Sequence, residues 1–252
     1  LTGTTGITLT DNGSLALTAE QALALTVFNA AATPQYSYKI AAAANQPGDG
    51  AVQVQIVDTT ENLIKASVAS GANGAIAFNL GAGSYEVVAT DVDDLTVTEA
   101  NSLLSISNIN ATYNLVDSSG NLVSGGTANA RVAGAASVKV VEVTVGSADP
   151  TTAAEAKAIF EANSNVTFDV IRTNADTIKA KTGSVFDFAA ALARADKVVM
   201  ATADSVADVS AALAAASQAG TREYSLSDNP TNLAASANAS LIAGAKTLAL
   251  TG

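Results

Sequence analysis

The segment Ser227-Asp228-Asn229-Pro230-Thr231-Asn232-Leu233 carries the pattern that predicts the fold. It follows a β-type run, has a carboxylate where that run ends, and places an Asn four residues after the carboxylate. An apolar residue comes next. Similar segments occur at Val57-Asp58-Thr59-Thr60-Glu61-Asn62-Leu63, Val116-Asp117-Ser118-Ser119-Gly120-Asn121-Leu122, Ala203-Asp204-Ser205-Val206-Ala207-Asp208-Val209 and, more loosely, Thr90-Asp91-Val92-Asp93-Asp94-Leu95. Such recurrence is typical of a repeat protein.

The residue four positions after each carboxylate marks the repeat, and two further places keep the spacing while losing part of the motif. The intervals between successive markers run from 24 to 32 residues, with a mean of about 28. The markers are Asn62, Asp94, Asn121, Asp149, Asp176, Asp208 and Asn232.

Strand candidates lie before the markers and helix candidates after several of them. The strand candidates are rich in Val, Ile, Tyr and Phe, and they cover residues 52–57, 85–89, 103–106, 113–116, 138–145, 166–171, 197–201 and 224–226. Asp149 before Pro150 predicts a helix start, with the helix over 151–162. Asp58 with Glu61 resembles a capping box. We therefore expect each repeat to contain a strand, a turn, a helix and a connection back to the next strand.

This pattern predicts an α/β repeat fold, a strand-turn-helix solenoid with coils of about 28 residues. Three sections follow from the composition: strand and helix repeats over 1–71, a β-rich section over 72–147, and α/β solenoid repeats over 148–252. The helical signal is weakest in the middle section. That section is either a run of strand-only coils or a β-sandwich domain flanked by α/β repeats.

Composition excludes several classes of function. The 252 residues include no His and no Cys, which removes the usual general bases, thiolate nucleophiles and transition-metal ligands, and we expect no enzyme. The formal net charge is −11, which argues against nucleic-acid binding because phosphate contacts need Lys and Arg clusters. No apolar run is long enough for a membrane span. The absence of Cys together with the acidic, Thr- and Asn-rich composition is typical of an exported bacterial surface protein.

Two elements resemble those of a known class of proteins. Asp228-Asn229-Pro230-Thr231-Asn232-Leu233 is similar to a "D-T-A-A-N-I" element, and the stretch from Ile7 to Leu23 is similar to an "I-T-L-T-D-x-G-x-L-x-L-T-x-x-Q-A-L" element. Both elements recur in giant repetitive bacterial cell-surface proteins, which include type-I-secreted adhesins and surface-layer or filament-forming repeat proteins. The resemblance implies an extracellular structural role at the bacterial surface. The calcium-binding glycine–aspartate nonapeptides of secreted toxins are absent from the sequence.

Candidate ligands for a metal lie in one acidic stretch. Residues 66–130 contain no Lys or Arg, and Asp91, Asp93 and Asp94 stand close together within them. Carboxylates in a loop suit Ca²⁺, which takes six to eight oxygen ligands in irregular geometry. The alternative is a solvated acidic turn with Asp at a helix cap. For the repeated motif itself we expect a structural role, in which Asp accepts N–H groups of the following helix and the Asn four residues later bonds to the next coil.

Two functions remain open. The first is an extracellular structural protein that builds a surface layer, filament or adhesin stalk by self-association, with residues 7–10 and 246–250 as the expected contacts. The second is a calcium-stiffened adhesin module that binds a surface glycan or protein. In the first case the partner is another copy of the chain or a neighbouring repeat of a longer one.

Overall fold

The computed structural model describes residues 7–9, 15–22, 40–42, 54–69, 85–142, 151–179, 188–215 and 220–251. The chain forms two compact units, residues 1–113 and residues 114–252. The boundary between them falls inside the section that was expected to be β-rich.

Unit 1 contains a parallel sheet whose strand order follows the chain. The sheet has the order β2-β4-β5-β7, and β1 pairs with β3 in a separate parallel pair. The strands of unit 1 are β1 (Ile7–Leu9), β2 (Leu15–Leu17), β3 (Ile40–Ala42), β4 (Val54–Asp58), β5 (Tyr85–Ala89), β6 (Asp94–Leu95) and β7 (Ile109–Asn110), and its helices are α1 (Thr60–Ala69) and α2 (Val97–Leu104).

Unit 2 repeats this arrangement with more strands. Its parallel sheet has the order β8-β11-β13-β14-β15-β16, and β12 also pairs with β13. The strands are β8 (Asn114–Asp117), β9 (Val123–Ser124), β10 (Thr127–Ala128), β11 (Ser137–Val140), β12 (Thr151–Thr152), β13 (Val166–Thr173), β14 (Ala195–Asp204), β15 (Thr221–Asp228) and β16 (Leu248–Leu250). The helices are α3 (Ser119–Leu122), α4 (Ala130–Gly134), α5 (Ala153–Ala162), α6 (Ala175–Lys179), α7 (Phe188–Leu192), α8 (Val206–Ala215), α9 (Pro230–Ala234) and α10 (Ala239–Gly244), with a 3₁₀ turn at Ser236–Asn238.

The predicted α/β class is confirmed. Parallel strands need crossover connections, and helices lie in most of these connections. Residues 85–142 also follow this rule, since α2, α3 and α4 alternate there with the strands of parallel sheets. A β-sandwich is built from antiparallel sheets, so this section does not have that architecture. The antiparallel pairing of β9 with β10 is a short hairpin, closed by Gly125 and Gly126 at φ 57° and 79°.

Helix α2 corrects one strand prediction. Residues 103–106 were expected to be extended, but Leu103 is a buried residue of α2. The Thr96 hydroxyl accepts the Glu99 N–H, while the Glu99 carboxylate accepts the Thr96 N–H at 2.9 Å. This capping box sets the helix start, and burial of Leu103 then outweighs the β propensity of the short run.

Helix α5 starts later than the sequence predicted. Thr151 and Thr152 form strand β12, and the N-cap is Thr152, in a capping box with Glu155. The predicted cap residues Asp149 and Pro150 lie outside the described residues. The predicted helix start at residue 151 was therefore two residues too early, because the Thr-x-x-Glu capping box determines where the helix begins.

Each unit buries an apolar face of its sheet under its helices. In unit 1, Ile56 of β4 and Val87 of β5 are 0% exposed, as are Leu63 and Leu103 of the helices. In unit 2, the fully buried side chains include Leu115, Phe168 and Ile171 of the strands and Ile159 of α5. Burial of such side chains drives folding. The strand ends, where polar side chains gather, are held in place by these two cores.

Candidate functional site: a carboxylate ladder at the strand ends

Asp58 connects two successive strand–helix segments of unit 1. It is the last residue of β4, and its Oδ1 accepts the Thr59 N–H at 2.8 Å and the Asn62 side-chain amide at 2.8 Å. Its Oδ2 accepts the N–H of Ala19 at 2.9 Å, 39 residues earlier. Ala19 opens the helical turn 19–22 that follows β2. One carboxylate oxygen thus organises the local turn, and the other binds the preceding segment.

Asp228 repeats this geometry in unit 2. Its Oδ1 accepts the Asn229 N–H at 2.8 Å and the Asn232 amide at 2.9 Å. Its Oδ2 accepts the N–H of Val206 at 3.0 Å. Val206 is the first residue of α8, which precedes β15 in the chain.

Two further carboxylates make the bond to the preceding segment. Asp91 Oδ1 accepts the Thr60 N–H at 2.7 Å and the Thr60 hydroxyl at 2.8 Å, and Asp204 Oδ2 accepts the Ala175 N–H at 3.3 Å. We call Asp58, Asp91, Asp204 and Asp228 the carboxylate ladder. The N–H groups that donate to these carboxylates belong to the first turn of a helix, where no intrahelical acceptor exists.

We call each of these hydrogen bonds between segments a rung of the ladder. The donor residue of each rung holds a constant place in the chain. Ala19, Thr60, Ala175 and Val206 each stand two residues after the end of the preceding strand. In a fifth place a longer side chain substitutes: the hydroxyl of Ser119, two residues after Asp117, donates to Glu155 at 3.4 Å. The residue at this position therefore donates a hydrogen bond to the next segment, through its backbone N–H in four places and through its hydroxyl in the fifth.

The ladder corrects the predicted role of the motif. Asp was expected to cap the helix that follows it, but the N-cap is the next residue. The N–H of Asn62 donates to Thr59 Oγ1, that of Asp208 to Ser205 Oγ, and that of Asn232 to Asn229 Oδ1. The predicted capping box of Asp58 and Glu61 is likewise wrong, since Glu61 pairs with Lys65 at 2.6 Å.

The Asn of the motif also acts locally. Asn62, Asn121 and Asn232 each donate the side-chain amide to the Asp four residues earlier, at 2.7–2.9 Å. Among the described residues these amides make no bond to the next segment, contrary to the prediction. At Asp58 and Asp228 the second carboxylate oxygen makes the bond between segments instead. The amide fixes the orientation of the carboxylate that does so.

These hydrogen bonds shift the pKa of two carboxylates of the ladder. Burial raises the pKa of Asp58, but the bonds from Asn62, Ala19 and Thr59 outweigh burial and leave the pKa lowered. For Asp228, the bonds from Asn232, Val206 and Asn229 lower the pKa. Donors that favour the charged form have this effect. Both carboxylates are therefore held ionised at neutral pH.

The end of β13 carries Thr in place of Asp. This residue, Thr173, has a buried hydroxyl oxygen without a hydrogen-bond partner among the described residues. Thr152 pairs with Arg172, and Ala153 follows Thr152 as Thr173 follows Arg172. Ala153 comes one residue after its strand and not two, but like Thr60, Ala175 and Val206 it is the first residue of a helix. By that likeness we take Ala153 as the donor position and Thr173 as the place of a missing carboxylate.

The acidic stretch predicted as a calcium site is divided between two locations. Asp91 belongs to the ladder, whereas Asp93 and Asp94 line a surface groove of about 690 Å³ together with Glu61 and Glu99. Burial raises the pKa of Asp93, and the carboxylates of Asp91, Glu61 and Asp94 raise it further. Within the described residues, no three acidic side chains are grouped so that they could hold a metal ion. Glu61 and Glu99 were not anticipated because they come from two separate helices.

The last described segment is incompletely covered. From Pro230 to Leu250 none of the described residues is buried, and Leu248 and Leu250 of β16 are 54% and 73% exposed. Their register partners in β15 are Leu226 and Asp228, which are 0% and 7% exposed. In the described part of the chain β16 pairs with β15 alone. This edge is apolar, and an edge strand of that kind is a template for pairing with another strand.

Pro230 marks a further change at this end. It follows the strand end Asp228 by two residues, which is the donor position of the other rungs. Proline has no N–H, so this segment cannot donate a backbone N–H to a carboxylate of a following segment.

A search for membrane-crossing helices finds none of sufficient length and hydropathy in the described residues. Comparison with protein-family models, curated protein sequences and solved structures finds no match for this chain.

Proposed function

We propose that this chain is an extracellular structural protein that builds a bacterial surface layer, filament or adhesin stalk. It does so by packing strand-turn-helix coils on one another and by associating with further copies of itself. The observation that carries the proposal is the uncovered edge at Leu248 and Leu250, which lies at the end of a parallel sheet ordered as the chain is.

The finer fold in this proposal is a solenoid. The strands of the two larger parallel sheets lie in the order in which they occur in the chain, with some short strands left out, and each ladder carboxylate bonds to the segment before it. The bonded residues are separated by 39, 31, 29 and 22 residues, and these separations bracket the coil of about 28 residues proposed from the motif spacing. Contacts restricted to neighbouring coils are the defining property of a solenoid.

An open apolar end supports self-association. Solenoids need end repeats with a polar outer face to remain soluble alone. The β16 edge instead presents two leucines that are more than half exposed. A further coil stacked there would bury both side chains, which gives association a hydrophobic driving force.

The extracellular assignment rests on composition and on the resemblance of the motifs. The chain has no Cys and a net charge of −11, and its repeated Asp-x-x-x-Asn elements resemble those of surface-layer and adhesin proteins. Among the described residues, the carboxylates of the ladder and the Asn residues of the motif serve the packing of segments. This use favours a structural role over catalysis.

Light scattering coupled to size exclusion tests the proposal. We expect a mass that rises with protein concentration for the wild-type chain, and a monomer for Leu250→Asp. Val92→Asp is the matched control, because Val92 is likewise an exposed apolar residue, at 53%, but belongs to unit 1 and not to β16. A wild-type monomer at all concentrations, with and without calcium, would exclude self-assembly of this chain.

The second candidate is the calcium-stiffened adhesin module, and the feature that bears on it is the groove at Asp93. Four carboxylates and the exposed Val92 line this groove, beside one Lys, although no three acidic side chains of the described residues are grouped to hold a metal ion. This candidate predicts a melting temperature of unit 1 that rises with millimolar Ca²⁺ and a rise that is lost in Asp93→Asn. An unchanged melting temperature would exclude it.

A further inference from the structure

The strands β2 and β16 have the same sequence. Leu15-Ala16-Leu17-Thr18 contains β2, and Leu248-Ala249-Leu250-Thr251 contains β16. Each strand pairs on one side only within the described residues, β2 with β4 and β16 with β15. Among the residues that the structure describes, two strands thus have one side unpaired and share one tetrapeptide.

Both strands also replace the carboxylate of the ladder by leucine. The residue that ends a strand is Asp58 in β4, Asp204 in β14 and Asp228 in β15, whereas it is Leu17 in β2 and Leu250 in β16. A polar rung cannot form at either edge from these residues. Pro230, which lacks an N–H at the donor position, agrees with this change on the β16 side.

We propose that β16 of one copy lies parallel to β2 of a second copy, with Leu248 beside Leu15, Ala249 beside Ala16 and Leu250 beside Leu17. This inference rests on the proposed function and specifies its interface. Leucine stacked on leucine buries apolar surface where the internal segments bury a hydrogen-bonded carboxylate. The partner is a second copy of this chain, since the matching edge belongs to the chain itself.

The contact joins two different surfaces, so it is heterologous. Repetition of a heterologous contact that does not close into a ring produces an open filament. The polarity of the filament follows from the parallel pairing, because each copy contributes β16 to one contact and β2 to the next.

Cysteine cross-linking tests the register directly, because the chain has no cysteine of its own. Ala16 and Ala249 are both exposed. Adjacent strands lie about 4.8 Å apart, within the Cα separations that a disulfide spans. The experiment mixes full-length Ala16→Cys with full-length Ala249→Cys under mild oxidation and resolves the products by non-reducing electrophoresis and peptide mass spectrometry.

We expect a 16–249 disulfide dimer in the mixture and its loss when Leu250→Asp is added to the Ala249→Cys chain. Ala249→Cys mixed with Gln55→Cys is the matched control, since Gln55 lies one strand further into the sheet, opposite Ala16. A 249–55 disulfide, which requires exchange of β2 for β16, would overturn the proposal. So would a 249–249 disulfide alone, which indicates a symmetric dimer, or no cross-link at all.

The two proposals fail separately. If light scattering detects assemblies while the 16–249 disulfide is absent, the interface is wrong and the structural function stands. If the wild-type chain is monomeric throughout, the proposed function itself fails.

Discussion

The carboxylate of Asp228 accepts the backbone N–H of Val206 at 3.0 Å, although the two residues belong to different segments of the chain. Val206 opens α8 and Asp228 closes β15, the strand that follows. A group that would otherwise be an unsatisfied helix-terminal donor thereby becomes a connection between neighbouring segments. The same connection recurs at Asp58, Asp91 and Asp204.

Substitution of Asp58 by Asn removes the charge of one rung. We expect unit 1 to lose about 1–3 kcal/mol of unfolding free energy, because Ala19 N–H and the Asn62 amide lose a charged acceptor. Urea unfolding monitored by circular dichroism measures the loss. Asp196→Asn, at an exposed position of β14, is the control and is expected to change little. An equal loss of unfolding free energy in Asp58→Asn and Asp196→Asn would contradict a stabilising bond from Asp58 to the preceding segment.

The vacant rung at Thr173 allows a gain of stability. In Thr173→Asp the new carboxylate is placed to accept the Ala153 N–H, and Thr177→Asn adds the amide four residues later as in the other motifs. We expect the double variant to be more stable than the wild type by about 0.5–2 kcal/mol, the range of a helix cap. Thermal and urea unfolding measure this. A double variant less stable than the wild type would show that the position does not accept a carboxylate.

Acid should weaken the ladder. The pKa of Asp58 and that of Asp228 are lowered in the folded chain, so their contribution to stability is present above the unfolded pKa, near 3.9. It is lost as the pH falls through the lower folded value. We expect the melting temperature to fall in this range, and to fall less steeply in Asp228→Asn. If the melting temperatures of the variant and the wild type fall in parallel with pH, the stabilising role of the ionised Asp228 carboxylate is contradicted.

Asp93 should behave in the opposite sense. Its pKa is raised, so its charge opposes folding above that pKa and has no such effect once the group is protonated. Asp93→Asn is therefore expected to raise the melting temperature at about pH 7 and to leave it unchanged well below the pKa. A destabilised variant at neutral pH in calcium-free buffer would contradict this expectation.

Much of the segment order could be predicted from the sequence, because strand candidates and the Asp-x-x-x-Asn motif are local signals. The α/β class and most strand positions follow from them. The partners of Asp58 and Asp228 could not be read in this way, since Ala19 and Val206 donate backbone groups that carry no side-chain signature. Helix α2 was missed for a related reason: the short apolar run at Leu103 fits a strand or a buried helix equally, and only packing decides between them.

The groove shows the same limit. Asp93 and Asp94 are neighbours in the sequence, but Glu61 and Glu99 join them from separate helices. The repeat spacing also gave no indication that β2 and β16 end in leucine where β4, β8, β14 and β15 end in Asp. That difference becomes meaningful once the strand order and the open edges are known.

Negative-stain electron microscopy of the purified full-length chain, with and without millimolar calcium, tests the central claim most directly. Head-to-tail packing of coils predicts ordered filaments or sheets for the wild type and isolated particles for Leu250→Asp. Isolated particles of the wild-type chain in both conditions would contradict a self-assembling structural protein.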